Sequence, residues 1–372
     1  MMAGLGGKGG KGGKGGKGGK GGKGGKGDAD FESGLDHAGS SSSPYLSTAL
    51  AATRDGIQNR WSGDATRTAP HLTAPRAAWD AFKPLEEDVR EVLIDHNLQR
   101  LFSVDPAAGT VSAGGKVLIT LTRPDFTHSF TLPDGTTKTM ADIQLGHMKK
   151  AADLRIDRLP EIYIQQTDIL SFFGTIAYLS ETTTKWTLDL LRGVLRLAAF
   201  VEMPIKHAFD IPRPITMTTE LQPIIQTPTH GSWPSGHSTE SFAVATVFST
   251  LIAGGSVPAK SGEQAVLDET LPMRLAARIA TNRTVAGVHF PTDSMVGALL
   301  GISIGEYLVA HLSGGASVAV NRSYGAPDAD NFSLGTLATK FGATSTDTVA
   351  TVPDLSILAE LWKAVRAEMN SP

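Results

Sequence analysis

Apolar positions recur at helical spacing through most of the second half of this chain, and charged positions seldom interrupt them. Thr183 to Ile205, Ser238 to Ile252, Pro272 to Val288 and Thr292 to Leu312 each predict a helix. Asp153 to Leu179 predicts another, and Ile211-Pro212-Arg213-Pro214 stops the helix that ends near Ile205. Upstream, Pro84 to Leu101 places Leu85, Val89, Val92, Leu93 and His96 on one face, with Pro84 in the first turn and His96 as a core-edge histidine. A short helix is expected near Leu46 to Trp61. Lys116 to Leu121 and His128 to Leu132 alternate like strands, and Pro133-Asp134-Gly135 marks a turn, giving one small β element. Pro353 to Met369 carries the stripe Leu358, Leu361, Trp362, Val365 and Met369, suited to the core or to a second copy of the chain in a homo-oligomer.

Residues 1–27 belong to none of this. From Gly6 to Gly27 the chain repeats Gly-Gly-Lys with seven lysines and no apolar side chain, so it cannot contribute to a core. Without those lysines the remainder holds 27 Lys+Arg against 37 Asp+Glu, about −10. The repeat reads as a solubilising leader, with contact to nucleic acid or another polyanion as the alternative. The rest, 28–372, reads as one helical domain. Its N-terminal helical part spans about 75–180, its central part about 181–315, and its last helix about 353–369.

Composition removes several classes of chemistry. There is no cysteine, hence no disulfide, thiolate site or cysteine nucleophile. No HExxH pattern or Walker-type glycine loop is present. Ser241 to Ala259 and Ser294 to Gly305 are apolar but rich in Ser, Thr, Gly and Ala, and the earlier helices carry Arg192 and Arg196. These segments are expected to be core helices, with no integral membrane segment. No signal peptide is visible, so the expected location is cytoplasmic.

Three motifs then stand in fixed order: Lys206-x6-Arg213-Pro214, Pro234-Ser235-Gly236-His237 and Arg283-x5-His289-x3-Asp293. Arg213 and Arg283 offer planar forks of donors, and Lys206 offers a point charge. Ser235 brings a hydroxyl, and Gly236 lets a backbone N–H approach closely at the start of a helix. Such a set holds a tetrahedral oxyanion, phosphate or vanadate. Of the two imidazoles one would be nucleophile or ligand and the other a proton carrier. His289 takes the first role and His237 the second, although spacing alone allows the reverse. Asp293, four residues on, would share a helix face with His289 and fix its tautomer.

These residues resemble the shared signature of the type-2 phosphatidic acid phosphatase and vanadium haloperoxidase superfamily, over about Lys206 to Asp293. The resemblance implies an all-α helical bundle of the acid phosphatase/vanadium haloperoxidase type, with the hairpin as a minor addition. It implies oxyanion contacts from Lys206, Arg213, Ser235, Gly236 and Arg283, a bond from His289 to phosphorus or vanadium, and proton handling by His237. Asn282 departs from the usual serine. His230, seven residues before His237, matches a histidine often found in the bromoperoxidases, while Met203 stands where haloperoxidases usually have tryptophan. About two hundred residues precede Lys206, as is commoner in haloperoxidase-like proteins. The expected activity is therefore halide oxidation by hydrogen peroxide with vanadate as cofactor, phosphate competing for its site. The alternative is hydrolysis of phosphate monoesters through a phosphohistidine.

Overall fold

The computed structural model describes residues 44–58, 74–253, 261–314, 317–325, 327–342, 345–348 and 356–370. The Gly-Gly-Lys repeat, and with it the polyanion contact, lies outside them. Helices of ten or more residues among the described residues are α1 (Pro44–Gln58), α2 (Glu87–Gln99), α3 (Met140–Ala151), α4 (Arg155–Ile164), α5 (Lys185–Phe209), α6 (Gly236–Ile252), α7 (Leu271–Val285), α8 (Pro291–Leu312) and α9 (Ile357–Asn370). The strands are β1 (Phe102–Asp105), β2 (Thr110–Ala113), β3 (Lys116–Leu121), β4 (Ser129–Thr131), β5 (Thr137–Thr139), β6 (Ser317–Val320), β7 (Arg322–Tyr324) and β8 (Ser345–Thr348). The fold is mainly α with minor β.

Helix α6 is the axis, with α5, α7 and α8 packed around it. Its Ser and Thr side chains are tolerable in a core because they bond back to their own helix: Thr246 Oγ1 donates to Phe242 O at 2.8 Å, and Thr239 Oγ1 to Ser235 O at 3.0 Å. α8 lies closest. A Cβ on Gly297, Gly301 or Gly305 would stand 2.7 Å from Ser235 O, 2.3 Å from Thr239 O and 2.6 Å from Thr246 Cβ respectively. One small-residue face of α8 is thus laid directly on the backbone of α6. All of α8 is buried; among the described residues it is the one helix long and apolar enough to cross a membrane.

α5 is fixed at its start by α9, whose Glu368 carboxylate accepts from the Trp186 and Thr187 amides at 2.9 and 2.8 Å. That satisfies N-terminal donors with an anion where the helix dipole favours one. The stripe on α9 is buried in the protein's own core at Leu358, Leu361, Trp362 and Val365.

Several expectations change. The stripe on α2 is Arg90, Ile94 and Leu98, while Val92 and His96 are exposed. Charge turns the helix: Arg90 Nε meets Asp189 at 2.8 Å and Asp95 meets Arg196 at 2.7 Å, both toward α5. Pro84 lies in the turn before α2. The long helix expected over Asp153 to Leu179 is broken: a 3-10 turn and α4 end at Ile164, and only Leu170–Phe173 is helical beyond. The two strands expected to form one β element do not pair. β3 joins a four-stranded sheet ordered β1-β2-β3-β7, parallel to β7, whereas β4 pairs with β5 across the Pro133-Asp134-Gly135 turn.

The contact between α6 and α8 predicts that Gly301→Leu forces the helices apart. Denaturant unfolding should show a loss of about 1–3 kcal/mol or more, together with loss of oxyanion binding; unchanged stability would contradict the close approach.

Candidate oxyanion site

The three motifs are stitched together by their backbones. Ser235 N–H donates to Asp293 O at 2.9 Å, Ser232 N–H to Ile211 O at 2.9 Å, and Arg213 Nη1 to Val288 O at 2.9 Å. Ser238 Oγ adds a bond to Ser294 O at 2.6 Å. Lys206, Arg213, Ser235, Gly236, His237, Arg283, His289 and Asp293 therefore gather where α5, α6, α7 and α8 meet.

Local structure delivers each side chain. α5 ends at Phe209, with Asp210 in the left-handed region at φ 42, so Lys206 sits in its last turn, donating to Pro234 O. Ser235 is the residue preceding α6 and Gly236 its first, at the helix N-terminus as expected. α7 closes with Gly287 at φ 86 and Val288 N–H donating back to Arg283 O at 3.1 Å, a Schellman-type end that turns the chain toward His289. His289 is not on a helix with Asp293, contrary to the sequence expectation. It precedes α8, and Asp293 in the first turn of α8 reaches back: Oδ2 accepts from Phe290 N at 2.9 Å and from His289 Nδ1 at 3.1 Å. Helix capping does the work assigned to helical spacing.

His289 is buried, and burial followed by the nearby Arg213 and Lys206 charges holds its imidazolium pKa well below the ordinary value. The ring is neutral. With Nδ1–H given to Asp293, the lone pair is on Nε2, where Arg213 Nη1 stands at 3.0 Å. Burial pushes the Asp293 carboxyl up to about 7. His237 Nε2 lies 2.7 Å from Gln165 O. A carbonyl only accepts, so Nε2 carries the proton and Nδ1 keeps a lone pair. Burial, then Arg283, lowers the His237 pKa to about 3. His230 lies at the rim, Nδ1 3.2 Å from Arg213 Nη2, and burial lowers its pKa to about 4. Burial also brings Arg213 and Arg283 down to about 10.

Arg283 gives Nη2 to Gln165 Oε1 at 3.0 Å and to Ile162 O at 3.2 Å, leaving Nε and Nη1 buried without a partner. Ser235 Oγ is likewise buried and unpartnered. Such orphaned donors are costly in a core unless an acceptor comes to them. Asn282 does not face the cradle. It bonds Gln165 Oε1 and Glu161 Oε2 at 3.0 Å each and accepts from Arg158 at 3.1 Å. Met203 is 40% exposed on α5.

Sequence reasoning missed three residues. Gln165 holds Arg283 with its side chain and His237 with its carbonyl, freed because α4 stops just before it. No spacing signals that contact. Glu202, buried one turn before Lys206, and Glu240, one turn into α6, were legible as i,i+4 neighbours of Lys206 and Gly236.

His237 and His230 both fold with pKa values below the free value of 6.5, so unfolding takes up protons beneath that pH. Their contribution to stability is present above about pH 6.5 and lost as pH falls, through about 4 for His230 and 3 for His237. Comparing wild type with His237→Asn by chemical denaturation from pH 8 to 4, the acid-side loss should be smaller in the variant; parallel curves would refute a neutral His237.

The family model described as the PAP2 superfamily matches residues 187–313. No curated protein matches the chain. Among solved structures, the first transmembrane PAP2 type phosphatidylglycerolphosphate phosphatase from Bacillus subtilis is similar at 22% identity. The match covers 46% of this chain and 74% of that one with a TM-score of 0.27, and it carries no argument about the site. Residues 187–313, which hold every member of the three motifs, carry a PAP2 superfamily domain.

Proposed function

We propose that the cradle binds a tetrahedral oxyanion, and that the chain is a vanadate-dependent haloperoxidase-like enzyme oxidising halide with hydrogen peroxide. The PAP2 superfamily match over residues 187–313 supports a phosphatase-type or related activity. The observation that carries the oxyanion reading is the set of buried, unpartnered donors, Ser235 Oγ and Arg283 Nε and Nη1, gathered at the same helix junction as a neutral His289. Vanadate fits that donor set. Lys206, Arg213, Ser235, the Gly236 amide and Arg283 would hold its oxygens, and His289 Nε2 would hold vanadium. Bound there, vanadate supplies an electrophilic centre that activates peroxide toward halide.

The chain's own residues do the rest. Asp293 keeps the proton on His289 Nδ1, so the lone pair is on Nε2, which Arg213 Nη1 would have to release before it could hold vanadium. His237, neutral and with Nδ1 free, is suited to take a proton from hydrogen peroxide. Its low pKa leaves the ring unprotonated near neutral pH, with no proton to give a leaving alkoxide. His230 stands at the rim, on the approach for halide.

Phosphate monoester hydrolysis is the second reading, favoured by Met203, which points outward and leaves α5 without the aromatic residue of the haloperoxidases. In that reaction His289 Nε2 would attack phosphorus, the P–O bond to the alkoxide would break, and water would then cleave the phosphohistidine.

Purified protein incubated with vanadate, peroxide and bromide should brominate a dione reporter, and excess phosphate should suppress turnover. His289→Ala should remove turnover entirely, and Arg283→Lys should lower it about 10- to 1000-fold. Phosphatase activity on an aryl phosphate, without bromination, would select the second reading.

A further inference from the structure

Resting on the oxyanion reading, Glu202 remains to be explained. Its side chain is buried at 1% exposure in the last two turns of α5. Oε1 would lie 2.7 Å from a Cβ on Gly236, so the carboxyl covers the face of the residue whose amide opens α6. Oε2 is buried and has no hydrogen-bond partner. Lys206 Nζ is turned to Pro234 O, and the Thr239 hydroxyl, which is hydrogen-bonded to the Glu202 carboxyl, also gives its proton to Ser235 O at 3.0 Å, so Oε2 stays unserved. An ionised carboxylate with one oxygen left without a donor, set beside an anion cradle, would repel the ligand the cradle is built for. A protonated carboxyl there would instead carry a donor in need of an acceptor.

We infer that Glu202 is a binding residue of the oxyanion cradle that acts in its protonated form, its carboxyl O–H donating to the bound tetrahedral anion. Burial raises the pKa of Glu202, against the lowering pull of Lys206, the Thr239 hydroxyl and Arg213. Other titrating groups surround it. α5 itself contributes Lys206, the following loop Arg213, α6 His237 and Glu240, and α8 Asp293. The charges brought to α5 by α2, α9 and β1 are engaged elsewhere: Arg90 with Asp189, Glu91 and Asp95 with Arg196, Glu368 with the start of α5, and Asp105 with the Ala107 and Ala108 amides. Glu240 is pushed up to about 8 by burial and then by Glu202, so it is the competing proton carrier.

Sulfate is the suitable probe, because it stays a dianion across the working pH range and its binding reports only the protein's protons. Titration calorimetry of the full chain, in buffers of different ionisation enthalpy, should show proton uptake on sulfate binding at alkaline pH. Affinity should fall by about tenfold per pH unit once the free carboxyl ionises. Glu202→Gln, which keeps the shape and a permanent donor, should bind sulfate with about one proton fewer taken up and a flatter pH profile. Difference infrared spectra should lose the protonated-carboxyl band that sulfate induces in wild type. Equal proton uptake in both proteins, or loss of the uptake in Glu240→Gln but not in Glu202→Gln, would overturn the inference. So would wild type that binds sulfate without taking up a proton, a result that stands even if the variant fails to fold. Wild type that binds neither sulfate, phosphate nor vanadate would overturn the oxyanion reading itself.

Discussion

Everything in the site depends on how closely α8 can lie on α6. Gly297, Gly301 and Gly305 present no side chain on the shared face, so the α6 backbone comes within the distance a single methyl would occupy. That approach lets Ser235 N–H reach Asp293 O and Ser238 Oγ reach Ser294 O. Two motifs almost sixty residues apart are thereby held at hydrogen-bond distance. A thicker interface would leave the start of α6 and the start of α8 as two separate helix ends.

The second constraint is charge. Lys206, Arg213 and Arg283 are buried together, and burial lowers the pKa of each. Glu202 and Asp293 are buried among them and Glu240 is half-buried, and desolvation raises the pKa of each. Both imidazoles are held neutral. Three cations facing three carboxyls leave the cradle near balance, with its charge set by where protons reside. An entering oxyanion would add negative charge to that balance, so the protein's protons and its ligand are thermodynamically linked. The backbone carbonyls of Pro234, Val288, His230 and Gln165 hold the cationic and imidazole groups in place without adding formal charge.

Much of this was legible in the sequence. Helical periodicity marked α6, α7 and α8 to within a few residues, because each is apolar and bounded by Pro or Gly. The site's principal residues stood in three short motifs, because oxyanion binding needs particular donors that few other residues can supply. Periodicity failed where charge or a distant contact decided. α2 is turned by Arg90 and Asp95 pairing with α5, which a hydrophobic stripe does not register. The helix over Asp153 to Leu179 is broken after Ile164, where the Gln165 carbonyl is taken by His237, seventy-two residues away. β3 found its partner in β7, some two hundred residues on, instead of the strand that follows it.

The sequence by itself determined the donor inventory, the helices that carry it and the order of the motifs, since these follow from residue chemistry and local spacing. Only the tertiary structure decided that His289 meets Asp293 through the cap of α8, that Gln165 positions both Arg283 and His237, and that Glu202 lies against Gly236. Those contacts depend on which faces of separate helices are brought together and how closely, and the close packing of side chains across α5, α6, α7 and α8 settles both.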